Sequence, residues 1–322
     1  MTASTYVFPG QGSQYPGMGR DLAWCAPGAR GLIPAAAALS GLPVADLMDR
    51  ADAATISDPE VAQVLVFVAS SVLATELRLR GHAPRAVAGH SLGEYTALVA
   101  AGCLGWDTAL VLVAARGRAM AAAARQSPGT MAALVGLPLD AVRELCAAES
   151  RDGELAVVAN VNSPRQAVVS GTEKAVEGVM AHARNAGAIR ARRLPVGGAY
   201  HSPLMDAARR EMEPVLRGTP LREPDVPFVS SVTGRPVTDV RAYTTELVGQ
   251  ITRPVLWREV VERLAPATAT YVEVGPGRVL TGLGREMHRD ACHLSASDAG
   301  RGAASSPAAI RPTGSKPREP QR

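Results

Sequence analysis

Residues 89–93, Gly89-His90-Ser91-Leu92-Gly93, decide the fold, because this Gly-x-Ser-x-Gly pentapeptide separates two differently patterned segments. Ala86-Val-Ala before it predicts the end of a buried strand, and Leu92 to Ala101 predicts an amphipathic helix. A serine on a sharp turn from strand to helix is a nucleophile elbow. Glycines on both sides leave the space such a turn needs. Short matches also arise by chance, but the flanking strand and helix favour a nucleophile at Ser91.

Composition places the chain among ordinary globular enzymes. It has 322 residues, of which 47% are hydrophobic, 20% charged and only 4% aromatic, so we expect one large domain with an insertion, or two domains. The net charge of +4 comes from residues 299–322, which hold five basic residues and one acidic residue. A neutral body without a basic stripe argues against nucleic-acid binding.

The cysteine spacing and the apolar runs indicate in which cellular compartment the protein acts and whether it binds membranes. Cys25, Cys103, Cys146 and Cys292 are far apart and lack the spacing of a metal site, so we expect no metal and a reducing cytoplasm. The N-terminus lacks the pattern of a signal peptide. The most apolar run, 61–77, contains polar breaks and looks too short to span a bilayer. We expect a cytoplasmic monomer that does not bind membranes.

The order of predicted elements gives an α/β fold class. Thr5–Phe8 and Arg85–Ala88 are predicted strands, 59–81 and 107–124 predicted helices, and 226–231 and 270–274 later strands. Between them the order changes to βαββαβ, which is typical of a ferredoxin-like unit. We therefore predict an α/β-hydrolase-like large subdomain with an inserted ferredoxin-like small subdomain. The expected boundaries are 1–126 with 196–292 for the catalytic core, 127–195 for the insertion, and 297–322 for a disordered basic tail.

A serine nucleophile needs a base, and His201 is the best candidate among six histidines. It follows a predicted strand, within the glycine-rich loop Gly197-Gly-Ala-Tyr-His201. Loops at strand ends are where an α/β sheet presents catalytic groups. No acidic residue between Ser91 and His201 stands out in such a loop. The sequence therefore favours a Ser-His dyad whose imidazole is held by a backbone or amide oxygen.

Arg116 is a charge in an otherwise apolar helix, and Met120 lies one turn further on the same face. A snorkelling arginine with a buried stem would explain this position. If its guanidinium is buried it needs a partner, and a substrate carboxylate would supply one through a two-point hydrogen-bonded fork. On the evidence of the helix alone, the snorkelling arginine is favoured.

Taken together, these pieces resemble the malonyl-CoA:acyl-carrier-protein transacylases and the acyltransferase domains of polyketide synthases. The resemblance extends to about residue 288 and rests on eight ordered motifs: Phe8-Pro-Gly-Gln-Gly-Ser-Gln14, Gly89-His-Ser-Leu-Gly-Glu-Tyr95, Arg116-Gly-Arg-Ala-Met120, Gly129-Thr-Met-Ala-Ala133, Ala159-Asn-Val-Asn-Ser-Pro164, Gly198-Ala-Tyr-His-Ser-Pro203, Gln250-Ile-Thr-Arg-Pro-Val255 and Glu273-Val-Gly-Pro-Gly277.

The resemblance implies a role for each matching position. Ser91 would take the acyl group from coenzyme A as an ester, with His201 as base and then acid. Backbone N–H groups of Gln11 and Leu92 would form the oxyanion hole. Arg116 would hold the free carboxylate of malonate, with Met120 beside it in the substrate site. Gln250 would orient the histidine through its backbone carbonyl.

The resemblance also bears on the choice of acyl group. Asn160 and Asn162 match a loop near the active site. Members that prefer malonyl commonly carry Gly-Ala-Phe-His and methylmalonyl users Tyr-Ala-Ser-His, whereas this chain has Gly-Ala-Tyr-His. A ring at Tyr200 should crowd an α-methyl branch, so malonyl is favoured. One methyl group is worth only about 1–3 kcal/mol in a pocket, so some leakage is expected.

We therefore expect an [acyl-carrier-protein] S-malonyltransferase, working by ping-pong transfer from malonyl-CoA to the phosphopantetheine thiol of an acyl carrier protein in fatty-acid or polyketide synthesis. No bound cofactor is implied. A hydrolase or editing enzyme of the same fold, a transferase for another extender such as methylmalonyl, and a non-catalytic docking protein are the alternatives.

Overall fold

The computed structural model describes residues 4–298. The predicted tail lies outside this range except for its first two positions. Within the range, the chain forms nine strands: β1 Ser4–Phe8, β2 Pro84–Gly89, β3 Thr130–Val135, β4 Ala156–Ser163, β5 Gln166–Gly171, β6 Arg190–Arg193, β7 Phe228–Val229, β8 Thr270–Glu273 and β9 Cys292–Ser295.

The α-helices of the described residues fill the intervals between these strands. They are α1 Pro27–Arg30, α2 Leu32–Ser40, α3 Val44–Arg50, α4 Pro59–Leu79, α5 Gly93–Ala100, α6 Trp106–Gln126, α7 Leu139–Glu149, α8 Glu173–Asn185, α9 Asp206–Arg217, α10 Val240–Gly249, α11 Trp257–Leu264 and α12 Val279–Met287.

Two separate sheets confirm the predicted fold class. The larger sheet has the order β7-β2-β1-β8-β9 with every pair parallel, and the smaller has the order β4-β5-β3-β6 with every pair antiparallel. In the smaller sheet, α7 and α8 cover one face over a small apolar core. The βαββαβ order is the one expected from the sequence.

The central pairing of the larger sheet brings two loops together. β1 and β2 are parallel neighbours, with Phe8 opposite Gly89, and the His90 N–H donates to the Phe8 carbonyl at 2.9 Å. The loop after β1 and the turn after β2 therefore meet at the carboxyl edge of the sheet. Open parallel sheets bind their ligands at this edge.

Helix α4, Pro59–Leu79, lies within the predicted helix 59–81 and extends two residues beyond the apolar run 61–77 at each end. Among the described residues, it is the one helix that is by itself long and apolar enough to cross a membrane. However, 78% of its most apolar 18-residue stretch is buried within the protein. It packs against α6 in the core under the larger sheet. The expectation that this segment is too short to span a bilayer was wrong, and its burial identifies it as a core helix.

The predicted strand 226–231 is largely wrong, since only Phe228 and Val229 pair. Pro227 has no N–H to give to a ladder, and its carbonyl accepts from Val87. After Val229 the chain turns, with the Ser230 N–H donating to Arg235 and the Gly234 N–H to Ser230. The backbone groups that would extend the strand are used in this turn.

Candidate active site

Ser91 lies at the turn between β2 and α5, in a left-handed backbone conformation with φ of 53°. A non-glycine residue is rarely found there, and such strain concentrates at functional sites. Both flanking glycines are required by packing. A Cβ on Gly89 would lie 2.1 Å from the backbone of Gly93, and one on Gly93 would lie 2.1 Å from the Phe8 carbonyl oxygen. The serine is thus held tightly over the carboxyl edge of the sheet.

His201 faces this serine. The Ser91 Oγ and His201 Nε2 are 2.7 Å apart, and His201 also has a positive φ, 58°. On its other side, Nδ1 lies 2.9 Å from the Gln250 carbonyl oxygen and 3.1 Å from that of Arg253. Carbonyls only accept, so Nδ1 carries the proton and Nε2 has its lone pair toward the hydroxyl. Among the described residues, the imidazole has backbone carbonyls where a triad would have a carboxylate.

The surroundings keep His201 neutral. Burial, followed by the positive charge of Arg116, lowers the pKa of His201 to about 3, and the hydrogen bond to Gln250 opposes this shift. At neutral pH the imidazole is therefore in the form that accepts a proton. Protonating it beside an uncompensated Arg116 is unfavourable.

Arg116 is almost fully buried, with 1% of its surface exposed. One terminal nitrogen donates to Gln63 Oε1 at 2.7 Å, and the other donates to Gln250 Oε1 at 3.0 Å and to Ser91 Oγ at 3.2 Å. Its Nε has no hydrogen-bond partner within residues 4–298. All three acceptors are neutral, and no carboxylate of the described residues lies within ion-pair distance of it. The snorkelling explanation is thereby excluded, and a buried cation beside the serine lacks a counter-anion.

Gln250 connects these groups. Its main chain holds His201, its Oε1 accepts from Arg116, and its Nε2 donates to the Ser91 carbonyl at 3.0 Å and to Glu94. Glu94 is fully buried and also accepts the Ser231 N–H at 2.6 Å. Burial raises the pKa of Glu94 to about 7. A single glutamine therefore fixes the elbow, the arginine and the histidine relative to one another.

Two main-chain N–H groups at the meeting of the loops are free for a ligand. In the described part of the chain, neither the Gln11 N–H nor the Leu92 N–H donates to a protein acceptor. Gln11 follows β1 and Leu92 follows the serine, so both lie where β1 and β2 end side by side. Paired backbone donors of this kind can stabilise an oxyanion.

A cleft between the two sheets contains most of the remaining predicted residues. Met120, Tyr200, Asn160 and Asn162 line it together with Gln11, Ser91, Arg116 and His201, whereas Leu92 and Gln250 lie behind its surface. The Gln63 amide contacts the Met120 sulfur at 3.4 Å. Asn162 Oδ1 lies 3.1 Å from His90 Nε2, so His90 is engaged away from the serine. Burial raises the pKa of Tyr200 to about 12, so its ring is an uncharged wall.

The chain matches the family model described as "Acyl transferase domain" over residues 5–311. It belongs to the acyl transferase domain family. It is 35% identical over 299 residues to the malonyl CoA-acyl carrier protein transacylase of Bacillus subtilis, covering 92% of this chain and 94% of that protein. The acyl-carrier-protein-S-malonyltransferase of Bartonella henselae has a similar structure, with a TM-score of 0.87, 35% identity and coverage of 94% and 98%.

A second similar structure contains a partner protein. It is a type II PKS acyl-carrier protein in complex with its malonyl-transacylase, matched with a TM-score of 0.86 and 32% identity over 93% of this acyl transferase and 99% of that chain. The TM-scores and the near-complete coverage show that this chain shares the two-sheet fold of both solved transacylases.

Gln63 and Glu94 of this acyl transferase were missed by sequence reasoning. Gln63 interrupts the apolar run of α4, and a lone amide inside a buried helix is a signal for a buried polar partner. Glu94 is the first acidic residue after the elbow and could pass for an ordinary charge at a helix N-terminus. Its burial against Gln250, 156 positions away, leaves no local pattern. No group of three or more metal-ligating side chains occurs among the described residues.

Proposed function

We propose that this acyl transferase moves a malonyl group from malonyl-CoA, through an ester on Ser91, to the phosphopantetheine thiol of an acyl carrier protein. The names of its relatives and the complex of a similar transacylase with a carrier protein support this reaction. The observation that carries the choice of acyl group is Arg116, a buried cation 3.2 Å from the nucleophile that no carboxylate of residues 4–298 contacts.

In the first half of the reaction, Ser91 Oγ attacks the thioester carbonyl while its proton passes to His201 Nε2, 2.7 Å away. The Gln11 and Leu92 N–H groups would bind the oxyanion. When the tetrahedral intermediate collapses, the carbon–sulfur bond breaks, and His201 returns its proton to the CoA thiolate. The carrier's thiol then gives its proton to His201 and attacks the ester, and Ser91 recovers its hydroxyl.

The substrate carboxylate has a second effect in this proposal. Arg116 lowers the pKa of His201, so an anion bound to Arg116 offsets that influence and favours the imidazolium that forms during attack. Tyr200 borders the same space, and we propose that its ring selects malonyl over branched extenders. Asn160, Asn162 and Met120 complete the substrate wall.

We also propose the domain boundaries given above, with a core of 1–126 and 196–292 and an insertion of 127–195. β9 extends the core sheet to Ser295. Action as a cytoplasmic monomer without a bound cofactor or metal is part of the same proposal, and the four unpaired cysteines support a reducing compartment.

Intact-mass spectrometry after incubation with malonyl-CoA tests the proposal. We expect the wild type to gain the mass of one malonyl group and Ser91→Ala to gain none, because the ester cannot form. Adding a phosphopantetheinylated carrier protein should then move that mass onto the carrier. Separate assays with fatty-acid and polyketide carriers would identify the acceptor.

The hydrolase alternative predicts a different outcome in the same assay. Rapid release of CoA with no malonylated carrier would show that water is the acceptor and would refute the transferase. A wild type that never gains the malonyl mass would favour a non-catalytic docking protein.

A further inference from the structure

Strand β6, at the edge of the smaller sheet, presents arginines on both of its faces. Its four residues are Arg190-Ala-Arg-Arg193, and the three arginines are exposed. Ala191 packs against the core under α7 and α8, and Arg193 pairs with Glu173 and Glu177 of α8. Since side chains alternate along a strand, Arg190 and Arg192 lie on the opposite face. Neither forms an ion pair with a described residue.

The strand register places this opposite face on the cleft. Arg192 lies opposite Ala133 and Arg190 opposite Val135 on β3. Directly opposed residues of antiparallel strands share a face, and Ala133 lines the cleft. Leu194, two positions after Arg192, lines it as well.

The neighbouring strand gives the same result. On β5, Val168 lies opposite Ala133 and Gln166 opposite Val135. Both line the cleft. Two rows of side chains therefore cross the sheet on its cleft face, and each row ends at the edge in an arginine.

The cleft wall changes from apolar to positively charged along this part of the chain. It is apolar at Leu194, just after β6, and positively charged at Arg192 and Arg190. At about 3.4 Å per residue, Arg190 lies about 14 Å along the chain from Leu194. A ligand that fits has a reactive end at Ser91, a weakly polar arm along the apolar wall, and an anion at its far end.

We propose that Arg190 and Arg192 bind the phosphate at the end of the pantetheine arm. This inference rests on the proposed function, in which donor and acceptor deliver a thioester or thiol to one serine. Both substrates carry a pantetheine arm that ends in phosphate. Guanidinium groups hold phosphate through paired, charge-assisted hydrogen bonds. One pair of arginines therefore serves both half-reactions.

Arg190→Gln, Arg192→Gln and the double variant test the donor side, with malonyl-CoA and malonyl-pantetheine as probes. We expect each single change to raise KM for malonyl-CoA about five- to tenfold, the effect of removing one solvent-exposed charged hydrogen bond, with kcat unchanged. Malonyl-pantetheine has no phosphate, so its KM should not change. Arg193→Gln is the matched control, because it removes the same charge from the same strand on the helix face.

The acceptor side is tested with preformed malonyl-enzyme. The KM for phosphopantetheine should rise in the Arg190 and Arg192 variants, whereas the KM for pantetheine should not. The KM for the phosphopantetheinylated carrier should rise as that for phosphopantetheine does. Comparable KM increases in both half-reactions support the shared site.

Three results would overturn it: an increase confined to one half-reaction, an equal increase with the phosphate-free compounds, or an equal effect of Arg193→Gln. Failure of the proposed function itself is distinguishable, because the wild type would then form no malonyl-enzyme with either donor.

Discussion

Replacing Arg116 by methionine should change which acyl group the enzyme transfers. The substitution keeps an unbranched apolar stem but removes the guanidinium, which donates to Gln63, Gln250 and Ser91 in the structure. Malonyl-CoA would lose the partner of its carboxylate. Acetyl-CoA has no carboxylate and would no longer meet a buried cation.

The size of the expected effect follows from the hydrogen bonds that the guanidinium would give to the substrate carboxylate in the proposed mechanism. A carboxylate on a buried guanidinium accepts two charge-assisted hydrogen bonds, each worth about 1.5–3 kcal/mol. Removing about 3–5 kcal/mol of this binding lowers kcat/KM for malonyl-CoA by roughly a hundredfold to several thousandfold. The value for acetyl-CoA should stay constant or increase. The ratio of malonyl to acetyl transfer should therefore fall by at least about two orders of magnitude.

The variant also has a signature in its pH profile. Arg116 contributes to lowering the pKa of His201 to about 3, so removing its charge raises that pKa. The base must be neutral to accept the serine proton, and activity is lost as the pH falls through its pKa. The acid limb of kcat/KM for acetyl-CoA should therefore move to higher pH in Arg116→Met.

Acylation of Ser91, measured by intact mass with each acyl-CoA, gives both rates in one assay. Arg118→Met is the matched control, since Arg118 is exposed on the same helix, two residues away. Acetylation of the variant shows that its site still folds. An Arg116→Met enzyme with the wild-type ratio of malonyl to acetyl transfer would refute the reasoning.

Two further predictions test the cleft wall and the buried acid. Tyr200→Ser should improve kcat/KM for methylmalonyl-CoA relative to malonyl-CoA by about 10- to 200-fold, because the removed ring leaves space for a methyl group; an unchanged ratio would exclude Tyr200 as the selector. Glu94, with its pKa raised by burial from 4.5 to about 7, binds a proton more tightly in the folded chain than in the unfolded chain. Its contribution to stability is therefore greatest below pH 4.5 and is lost as the pH rises to about 7, by about 3 kcal/mol. The unfolding free energy of the wild type relative to Glu94→Gln, from denaturant titrations across this range, should fall by that amount, and a constant difference would show that Glu94 keeps its ordinary pKa.

Local patterns were sufficient for most of the fold. α4 and α6 begin and end within two residues of the helices predicted at 59–81 and 107–124, and the βαββαβ order of the smaller sheet follows from alternating runs. α12 and β9 were not foreseen. α12 contains Gly282 and Gly284, which weaken a helix signal. Glu273, at the end of strand β8, stabilises the first turn of α12 by accepting hydrogen bonds from the N–H groups of Leu280 and Thr281.

The candidate site could be predicted where its reactive residues lie within a recognisable turn or loop. Ser91 and His201 both lie in glycine-containing turns after strands, and both have positive φ in the structure. The groups that arrange them come from distant positions, such as the amide of Gln63 on Arg116 and the carboxylate of Glu94 on Gln250. Periodicity reports only which face of an element is buried, so it carries no information on which buried polar groups meet.

The carbonyls that hold His201 have a consequence for substrate choice. In a triad, a permanent carboxylate stabilises the imidazolium whichever substrate is bound. Among the described residues, His201 contacts only backbone oxygens on its Nδ1 side, and after burial the largest effect lowering its pKa is the charge of Arg116. A malonyl carboxylate on Arg116 compensates that charge within the same buried space, whereas acetyl leaves it uncompensated. In the proposed mechanism, the proton transfer that activates Ser91 would therefore be easiest when the bound acyl group carries the anion. We accordingly propose that Arg116 selects malonyl twice, by binding its carboxylate and by keeping His201 a poor base until that carboxylate is present.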